Sequence, residues 1–191
     1  MKIGLYGGSF DPVHLGHLLV AQAAREELEL DRLYFIPAAQ SPFKPNTQPT
    51  PGSERSRLLR LALAGHNWCE LDEQELHRGG MSYTIDTVRD YQRRFPAAKI
   101  FYLIGGDHVK QLPAWREAGE LARLAEFVVV PRPGQLEVPF APPFRGRALK
   151  GFPLGISSSQ IRDRIRAGQP INHLVPDAVA EAIHGAGIYL K

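Results

Sequence analysis

The chain has 191 residues, of which 43% are hydrophobic and 23% are charged, as in an ordinary soluble globular protein with its own core. The net charge of +3 is mild and no block of Lys and Arg stands out, so we expect no nucleic acid among the partners. No apolar run approaches the roughly 18 residues that span a bilayer, so we expect no membrane contact and no signal peptide. The single cysteine, Cys69, excludes an internal disulfide and a cysteine-based metal cluster, which makes a cytoplasmic location the default expectation.

The stretch from Ile3 to Leu18, IGLYGGSFDPVHLGHL, predicts a strand, a glycine turn and the start of a helix. His14 and His17 stand three residues apart in the first helical turn, where they can face one ligand. Gly16 leaves the space between them open. Because helix N-termini carry unpaired N–H groups and partial positive charge, this stretch alone predicts an anion site.

The helix continues to about residue 29, and a second strand follows at Leu33 to Pro37, which together predict a right-handed βαβ unit. In such sheets ligands bind at the carboxyl ends of the strands, where Gly7 and Gly8 lie. Residues 38–52 are proline-rich and predict a long loop, in which Lys44 is either a solvated lysine or a ligand-binding group. Ser53 is expected to cap a helix that ends near Gly65.

The middle of the chain predicts three further strands, at Trp68 to Leu71, Ile100 to Ile104 and Phe127 to Val130. Either Ser82 or Thr84 could cap the helix that follows the first of them. Two more positions have two readings each. Asp107, after Gly105-Gly106, either caps a helix or binds a ribose hydroxyl, and Trp115 is either a core residue or a stacking platform. A last short strand is expected within Ala148 to Leu154.

The stretch from Ile156 to Gly168, ISSSQIRDRIRAG, specifies another helix start. Ser157 and Gln160 have the spacing of a capping box, and Gly168 stands where a C-terminal glycine is expected. A capping motif with no role in ligand binding would explain Ser157 and Gln160. Two further hydroxyls and an arginine, at Ser158, Ser159 and Arg162, indicate a second anion site.

Apolar strands that alternate with helices predict an α/β protein with a Rossmann-like, doubly wound and mostly parallel sheet of five or six strands, with helices on both faces. We expect one domain over residues 1–191. There is no Walker loop and no HExxH helix, and Asp11 and Asp107 are too scattered for a metal cage, so Mg²⁺ would be held mainly by nucleotide phosphates. A serine nucleophile at 158 or 159 with His17 as base is disfavoured, because the GxSxG elbow is absent.

The segments GGSFDPVHLGHL, GGDHVKQLPAW and ISSSQIR resemble those of the HxGH nucleotidyltransferases. With SYTIDTV and FVVVPRPG, the likeness spans nearly the whole chain and is greatest to the bacterial nicotinate-nucleotide adenylyltransferases. This resemblance implies an enzyme that transfers AMP from ATP to nicotinate mononucleotide, giving deamido-NAD and pyrophosphate in NAD biosynthesis. The phosphate of the mononucleotide would attack the α-phosphorus directly.

The resemblance also implies roles for individual residues. The catalytic residues are expected to be His14, His17 and Arg162. The residues expected to bind ATP share a position around the two helix starts and the strand ends; they are Gly7, Gly8, Ser9, Phe10, His14, His17, Lys44, Gly105, Asp107, Arg132, Ile156, Ser158, Ser159 and Arg162. The residues expected to bind nicotinate mononucleotide are Gly8, Ser9, Lys44, Tyr83, Thr84 and Trp115.

The chain departs from the family pattern at two places. Ser159 replaces a frequent threonine and keeps the hydroxyl, whereas Phe43 replaces the histidine of a Pro-His-Lys loop and removes a polar phosphate contact. Nicotinamide mononucleotide or phosphopantetheine could be the acceptor instead, and a non-catalytic nucleotide-binding module is an alternative of another class. A class I aminoacyl-tRNA synthetase is disfavoured by the length. The sequence does not decide between a monomer and a homo-oligomer.

Overall fold

The structure, a computed structural model, describes residues 1–43, 46–130, 132–134 and 139–190. Its centre is a sheet of six strands in the order β3-β2-β1-β4-β5-β6, in which every pair of neighbours is parallel. The strands are β1 Lys2–Gly8, β2 Arg32–Pro37, β3 Cys69–Leu71, β4 Lys99–Gly105, β5 Glu126–Val130 and β6 Gly146–Ala148. The Rossmann-like, doubly wound α/β fold is therefore confirmed.

The described part of the chain also contains seven α-helices and one 3-10 helix, of which the last two α-helices follow β6 and the others lie between strands. The α-helices are α1 Leu15–Leu28, α2 Gly52–Leu63, α3 Gln74–Arg78, α4 Thr84–Arg94, α5 Ala118–Leu124, α6 Ser158–Arg166 and α7 Asp177–Ala186, and the 3-10 helix is Gly106–Ala114. The sequence did not predict α3 or the 3-10 helix. The five residues of α3 are too few to show a helical period.

Three local predictions are wrong. The last strand lies at Gly146–Ala148, earlier than expected, because Gly151 at φ +49° and Pro153 break the extended run. Ser53 does not cap α2, whose N-cap is Pro51. Neither Ser82 nor Thr84 caps α4, whose N-cap is Tyr83; the Ser82 hydroxyl instead accepts the N–H of Ala39 at 2.9 Å.

Each face of the sheet packs against its own helices. Along β2, Leu33 and Phe35 point into one core cluster, which also contains residues of α1, α2, α6 and α7. Tyr34 and Ile36 point into the other, together with residues of α4 and α5. The alternation follows from the period of two in a strand. Within the described residues, no helix combines the length and apolarity needed to cross a bilayer.

The strand order reverses between β1 and β4, which lie side by side in the middle of the sheet. Connections from β1 lead outward to β2 and β3, and connections from β4 lead outward in the other direction to β5 and β6. Open parallel sheets bind ligands at such a switch point, beyond the carboxyl ends of the strands. Gly7, Gly8 and Gly105 end the two central strands and therefore lie at this position.

Candidate active site

A cleft of about 840 Å³ opens at the carboxyl ends of the central strands. Its walls come from the ends of β1 and β4, the start of α1, the loop after β2 and the segment that leads into α6. Most of the predicted site residues line it, namely Gly7, Gly8, Ser9, Phe10, His14, His17, Thr84, Gly105, Trp115, Arg132, Ile156, Ser158, Ser159 and Arg162. The topology therefore brings together residues that are up to about 150 positions apart in the chain.

At the end of β1, the Tyr102 side chain lies very close to the backbone of Gly7. A Cβ atom on Gly7 would lie 2.5 Å from the Tyr102 hydroxyl, so only glycine lets that side chain reach the strand end. Phe10 then takes a left-handed conformation, φ 47°, although its ring is almost fully buried against Tyr6 and Phe35. A non-glycine residue in this region costs free energy and is held only by surrounding contacts. The turn after β1 is therefore strained and firmly packed.

The two predicted histidines touch each other. His14 is the N-cap of α1, with extended backbone, and its N–H donates to Nδ1 of His17 at 3.1 Å. The two imidazole rings stack with centroids 3.7 Å apart, so the space between them is closed, contrary to the expectation from Gly16. A Cβ atom at residue 16 would instead lie 3.0 Å from His14 Nδ1 and would crowd that ring.

Burial keeps both imidazoles neutral. It lowers the pKa of His14 from its usual value to about 4, and it lowers the pKa of His17 well below the usual range, with a smaller contribution from His14. Since His17 Nδ1 accepts a hydrogen bond, the proton of the neutral ring lies on Nε2. His17 therefore offers an N–H donor at the wall of the cleft.

The start of α6 has the predicted capping box. Ser157 Oγ accepts the Gln160 N–H at 3.3 Å, and Gln160 Oε1 accepts the Ser157 N–H at 2.9 Å. Gly168, at φ +64°, closes the other end as predicted. The helix start is thus fixed by its own sequence.

Two side chains of α6 bind the turn that follows β1. The Ser158 hydroxyl donates to the Pro12 carbonyl at 2.8 Å, and Arg162 Nη1 donates to the Asp11 carbonyl at 2.7 Å. The sequence predicted phosphate contacts for both residues and did not predict these bonds. These bonds hold the start of α6 against the turn that leads into α1.

Polar groups at the other end of the cleft form a small network around α4. Thr84 Oγ1 donates to the Tyr102 hydroxyl at 3.4 Å, and Thr87 Oγ1 donates to Glu75 Oε1 at 2.6 Å. Glu75 is 3% exposed, and burial raises the pKa of its carboxyl group. Glu75, Ser82 and Tyr102 line the cleft, although sequence reasoning gave them no role in binding. Only α3, which was not predicted, brings Glu75 there.

Trp115 lies in an aromatic group within the cleft. Its ring centroid is 5.4 Å from that of Phe43 and 6.0 Å from those of His108 and Phe127. Trp115 Nε1 and His108 Nδ1 are buried and have no hydrogen-bond partner among the described residues. Trp115 packs against the second core cluster, in agreement with its reading as a core residue, and it also lines the cleft. Its role as a stacking platform stays a prediction.

Three predicted site residues are not among the described residues that line the cleft. Lys44 lies outside the described residues. Asp107 and Tyr83 lie outside the cleft lining; Asp107 lies within the 3-10 helix, and both its carboxylate oxygens accept hydrogen bonds from Arg132 Nη1 at 3.2 and 3.3 Å. Tyr83 packs under the guanidinium of Arg116. Asp107 therefore contacts Arg132, which lines the cleft, and it does not occupy the N-cap position of the 3-10 helix, which is Gly105.

The cleft contains no preformed set of ligands for a resident metal ion. Among the described residues, no group of three or more His, Cys, Asp or Glu side chains could hold one. Asp11 is the carboxylate nearest to the histidines in sequence, and its two oxygens accept hydrogen bonds from Tyr189 and from the Thr50 N–H.

Comparison with known proteins agrees with this architecture. The cytidylyltransferase-like family model matches residues 5–164. A probable nicotinate-nucleotide adenylyltransferase from Opitutus terrae is 40% identical over 196 residues, covering 100% of this chain and 95% of the relative. Another from Shouchella clausii is 41% identical over 193 residues, covering 98% and 96%.

Solved structures share the fold. The nicotinic acid mononucleotide adenylyltransferase of Plasmodium falciparum, complexed with NaAD, superposes with a TM-score of 0.78 at 18% identity, covering 98% of this chain and 97% of that one. A putative nicotinate-nucleotide adenylyltransferase from Vibrio parahaemolyticus gives a TM-score of 0.72 at 19% identity, covering 99% and 96%. With sequence relatives alike over their whole length, the chain belongs to the cytidylyltransferase-like family and, within it, to the nicotinate-nucleotide adenylyltransferases.

Proposed function

We propose that this enzyme transfers the AMP group of ATP to nicotinate mononucleotide, releasing pyrophosphate and forming deamido-NAD. One observation carries the site assignment: the starts of α1 and α6 meet at the switch point between β1 and β4, joined by hydrogen bonds from Ser158 and Arg162. Two helix N-termini aimed at one place suit an extended polyphosphate. The matched relatives and the neighbouring structures carry names of this same activity.

The reaction needs no general base. The phosphate of the mononucleotide is already an anionic nucleophile, and it attacks the α-phosphorus in line with the departing pyrophosphate. Catalysis then consists of positioning and of stabilising the charge on the transferring group. In this proposal His17 donates Nε2–H to an α-phosphate oxygen, and His14 holds the His17 ring through its backbone N–H.

The other residues divide between the two substrates. Arg162, the Ser159 hydroxyl and the backbone N–H of Ser158 hold the β- and γ-phosphates, since the Ser158 hydroxyl already donates to the Pro12 carbonyl. The residues that line the nucleotide are Gly7, Gly8, Ser9, Phe10, Gly105, Arg132 and Ile156. Trp115 stacks on the pyridine ring, and Thr84, in the first turn of α4, lies where a carboxylate would meet free N–H groups. Lys44 and Tyr83 stay predictions at this end of the site, as Asp107 does near the nucleotide sugar.

Mg²⁺ enters this proposal as part of the MgATP substrate. Among the described residues that line the cleft, the carboxylates are those of Asp11 and Glu75, and both already accept hydrogen bonds from protein groups. The ion is therefore carried by the phosphates and water. A single domain and a cytoplasmic location complete the proposal.

One assay tests the substrate assignment. The enzyme is given ATP and Mg²⁺ with nicotinate mononucleotide, nicotinamide mononucleotide or phosphopantetheine in separate reactions, and the adenylylated product is quantified by chromatography. We expect pyrophosphate only when an acceptor is present, and the highest kcat/KM with nicotinate mononucleotide. Preference for phosphopantetheine would reject nicotinate mononucleotide as the acceptor but leave the assignment of adenylyl transfer standing. ATP binding without any transfer would reject the enzymatic activity itself.

A further inference from the structure

A buried arginine that the proposed mechanism does not use lies beneath the turn after β1. Arg55, in α2, is 1% exposed. Its Nε donates to the Thr50 carbonyl at 2.8 Å, and its Nη1 donates to the Ser9 carbonyl at 2.7 Å. A guanidinium can bind two carbonyls at once because its donors form a rigid planar fork. Arg55 therefore joins the turn after β1 to the end of the loop after β2.

Asp11 makes a second connection between the same two segments. Its Oδ2 accepts the Thr50 N–H at 3.2 Å, and its Oδ1 accepts the Tyr189 hydroxyl at 2.8 Å. Thr50 thus engages both of its backbone groups in this network. Asp11 is 8% exposed, and a buried carboxylate of this kind is stable only when its oxygens are hydrogen-bonded.

The network surrounds the strained part of the site. Ser9 and Asp11 flank Phe10, the residue in the left-handed conformation, and His14 follows three residues after Asp11. Strained backbone persists only where surrounding contacts hold it. Arg55 supplies such a contact from α2, whereas Ser158 and Arg162 supply theirs from α6.

We propose that Arg55 is a positioning residue that holds the Ser9–Pro12 turn, and with it His14 and His17, in a fixed place relative to the end of the loop after β2. This inference rests on the proposed adenylyl transfer. Arg55 is not among the described residues that line the cleft, and it acts through the Ser9 and Thr50 carbonyls. Its loss should therefore reduce the rate of the chemical step more than the binding of either substrate.

Arg55→Lys tests this role, because it keeps the charge but replaces two fixed donors with one nitrogen. We expect kcat to fall by about tenfold to a hundredfold, since small displacements of reacting groups cost that much, while the KM values change by less than about threefold. Arg57→Lys is the matched control, because Arg57 lies on the same helix and pairs with Glu54 at the surface. It should leave kcat unchanged.

Tyr189→Phe removes one hydrogen bond from Asp11 and keeps the ring, so it carries the test if Arg55→Lys fails to fold by thermal melting. It should also lower kcat at constant KM. The double variant should lose less than the product of the two single losses, because both act on one turn. Independent, multiplicative losses would contradict a shared turn.

Hydrogen exchange separates this inference from the proposed function, because it needs no turnover. In Arg55→Lys we expect faster amide exchange in peptides covering residues 9–14 and 46–51 and little change in β5 or α7. Unchanged exchange together with kcat within about twofold of wild type would overturn the positioning role. If wild type makes no deamido-NAD yet exchange rises as expected, the reaction assignment fails and the role of Arg55 in holding the turn stands.

Discussion

At the scale of single residues, burial decides what the two histidines can do. His14 is 6% exposed, and its ring stacks on that of His17. Two charged imidazole rings at this distance would repel each other in a medium of low dielectric constant, so both rings are neutral before ATP binds. The phosphates of ATP would favour the charged forms, which makes nucleotide binding and proton uptake linked events.

His17→Ala should reduce kcat by about a hundredfold or more, because it removes one donor to the charge that develops in the transition state. The fold should persist, as judged by circular dichroism and thermal melting. His184→Ala, at an exposed position of α7, is the matched control and should keep wild-type turnover. Near wild-type kcat in His17→Ala would reject the assigned role.

His14 should make the ligand-free protein less stable in mild acid. Its pKa is about 4 when folded and about 6.5 when unfolded, so between these values the unfolded chain binds more protons and a falling pH favours unfolding. From pH 7 to pH 5 this contribution is about 2 kcal/mol of the free energy of unfolding. Urea titrations at both pH values would measure it, and His14→Gln should show a smaller difference than wild type. An equal difference in the two proteins would contradict the neutral ring.

At the scale of elements, helix starts show which signals the sequence carries. Ser157 and Gln160 predicted the cap of α6 correctly, because every atom of a capping box lies within four residues. Ser53 and Ser82 looked equally suitable but do not cap, since a lone hydroxyl before a helix has no such reciprocal partner. The reliable local signal is therefore the pair of residues and not the serine alone.

Ser157→Ala should lower the free energy of unfolding by about 1 kcal/mol, since it removes the acceptor for a helix N–H group. Ser53→Ala, in the first turn of α2, makes the same chemical change where no cap exists and should have an effect near zero. Denaturant unfolding of the two variants beside wild type measures both. Equal losses in the two variants would show that the cap contributes nothing particular to α6.

At the scale of the whole molecule, the fold and the starts of α1 and α6 were predictable, because strand, turn and helix patterns are local. The hydrogen bonds of Arg55 and Asp11 around the turn after β1 were not predictable. In GSERSRLLRLAL, Arg55 looks like any charged residue of a surface helix, and only packing of α2 against the sheet shows that it is buried. Tyr189 lies 178 positions from Asp11, and no short-range pattern predicts that contact.

The whole chain should unfold as one unit if it is a single domain. The two tryptophans test this, since Trp68 packs against the core cluster on one face of the sheet and Trp115 against the cluster on the other. Trp68→Phe and Trp115→Phe each leave one fluorescent reporter. Within each variant, fluorescence and circular dichroism should give the same unfolding midpoint. Midpoints that separate would show that the two faces unfold independently.

The hydrogen bond between Tyr189 and Asp11 has a consequence for biosynthesis. Asp11 leaves the ribosome 178 residues before Tyr189. Ser158 and Arg162 also reach back to residues 12 and 11 from the last third of the chain. A nascent chain could form β1 and α1 early, but the nucleotide site would be complete only after α6 and α7 have been synthesised. Contacts this distant in sequence are slow to close, so maturation of the nucleotide site should be the last step of folding.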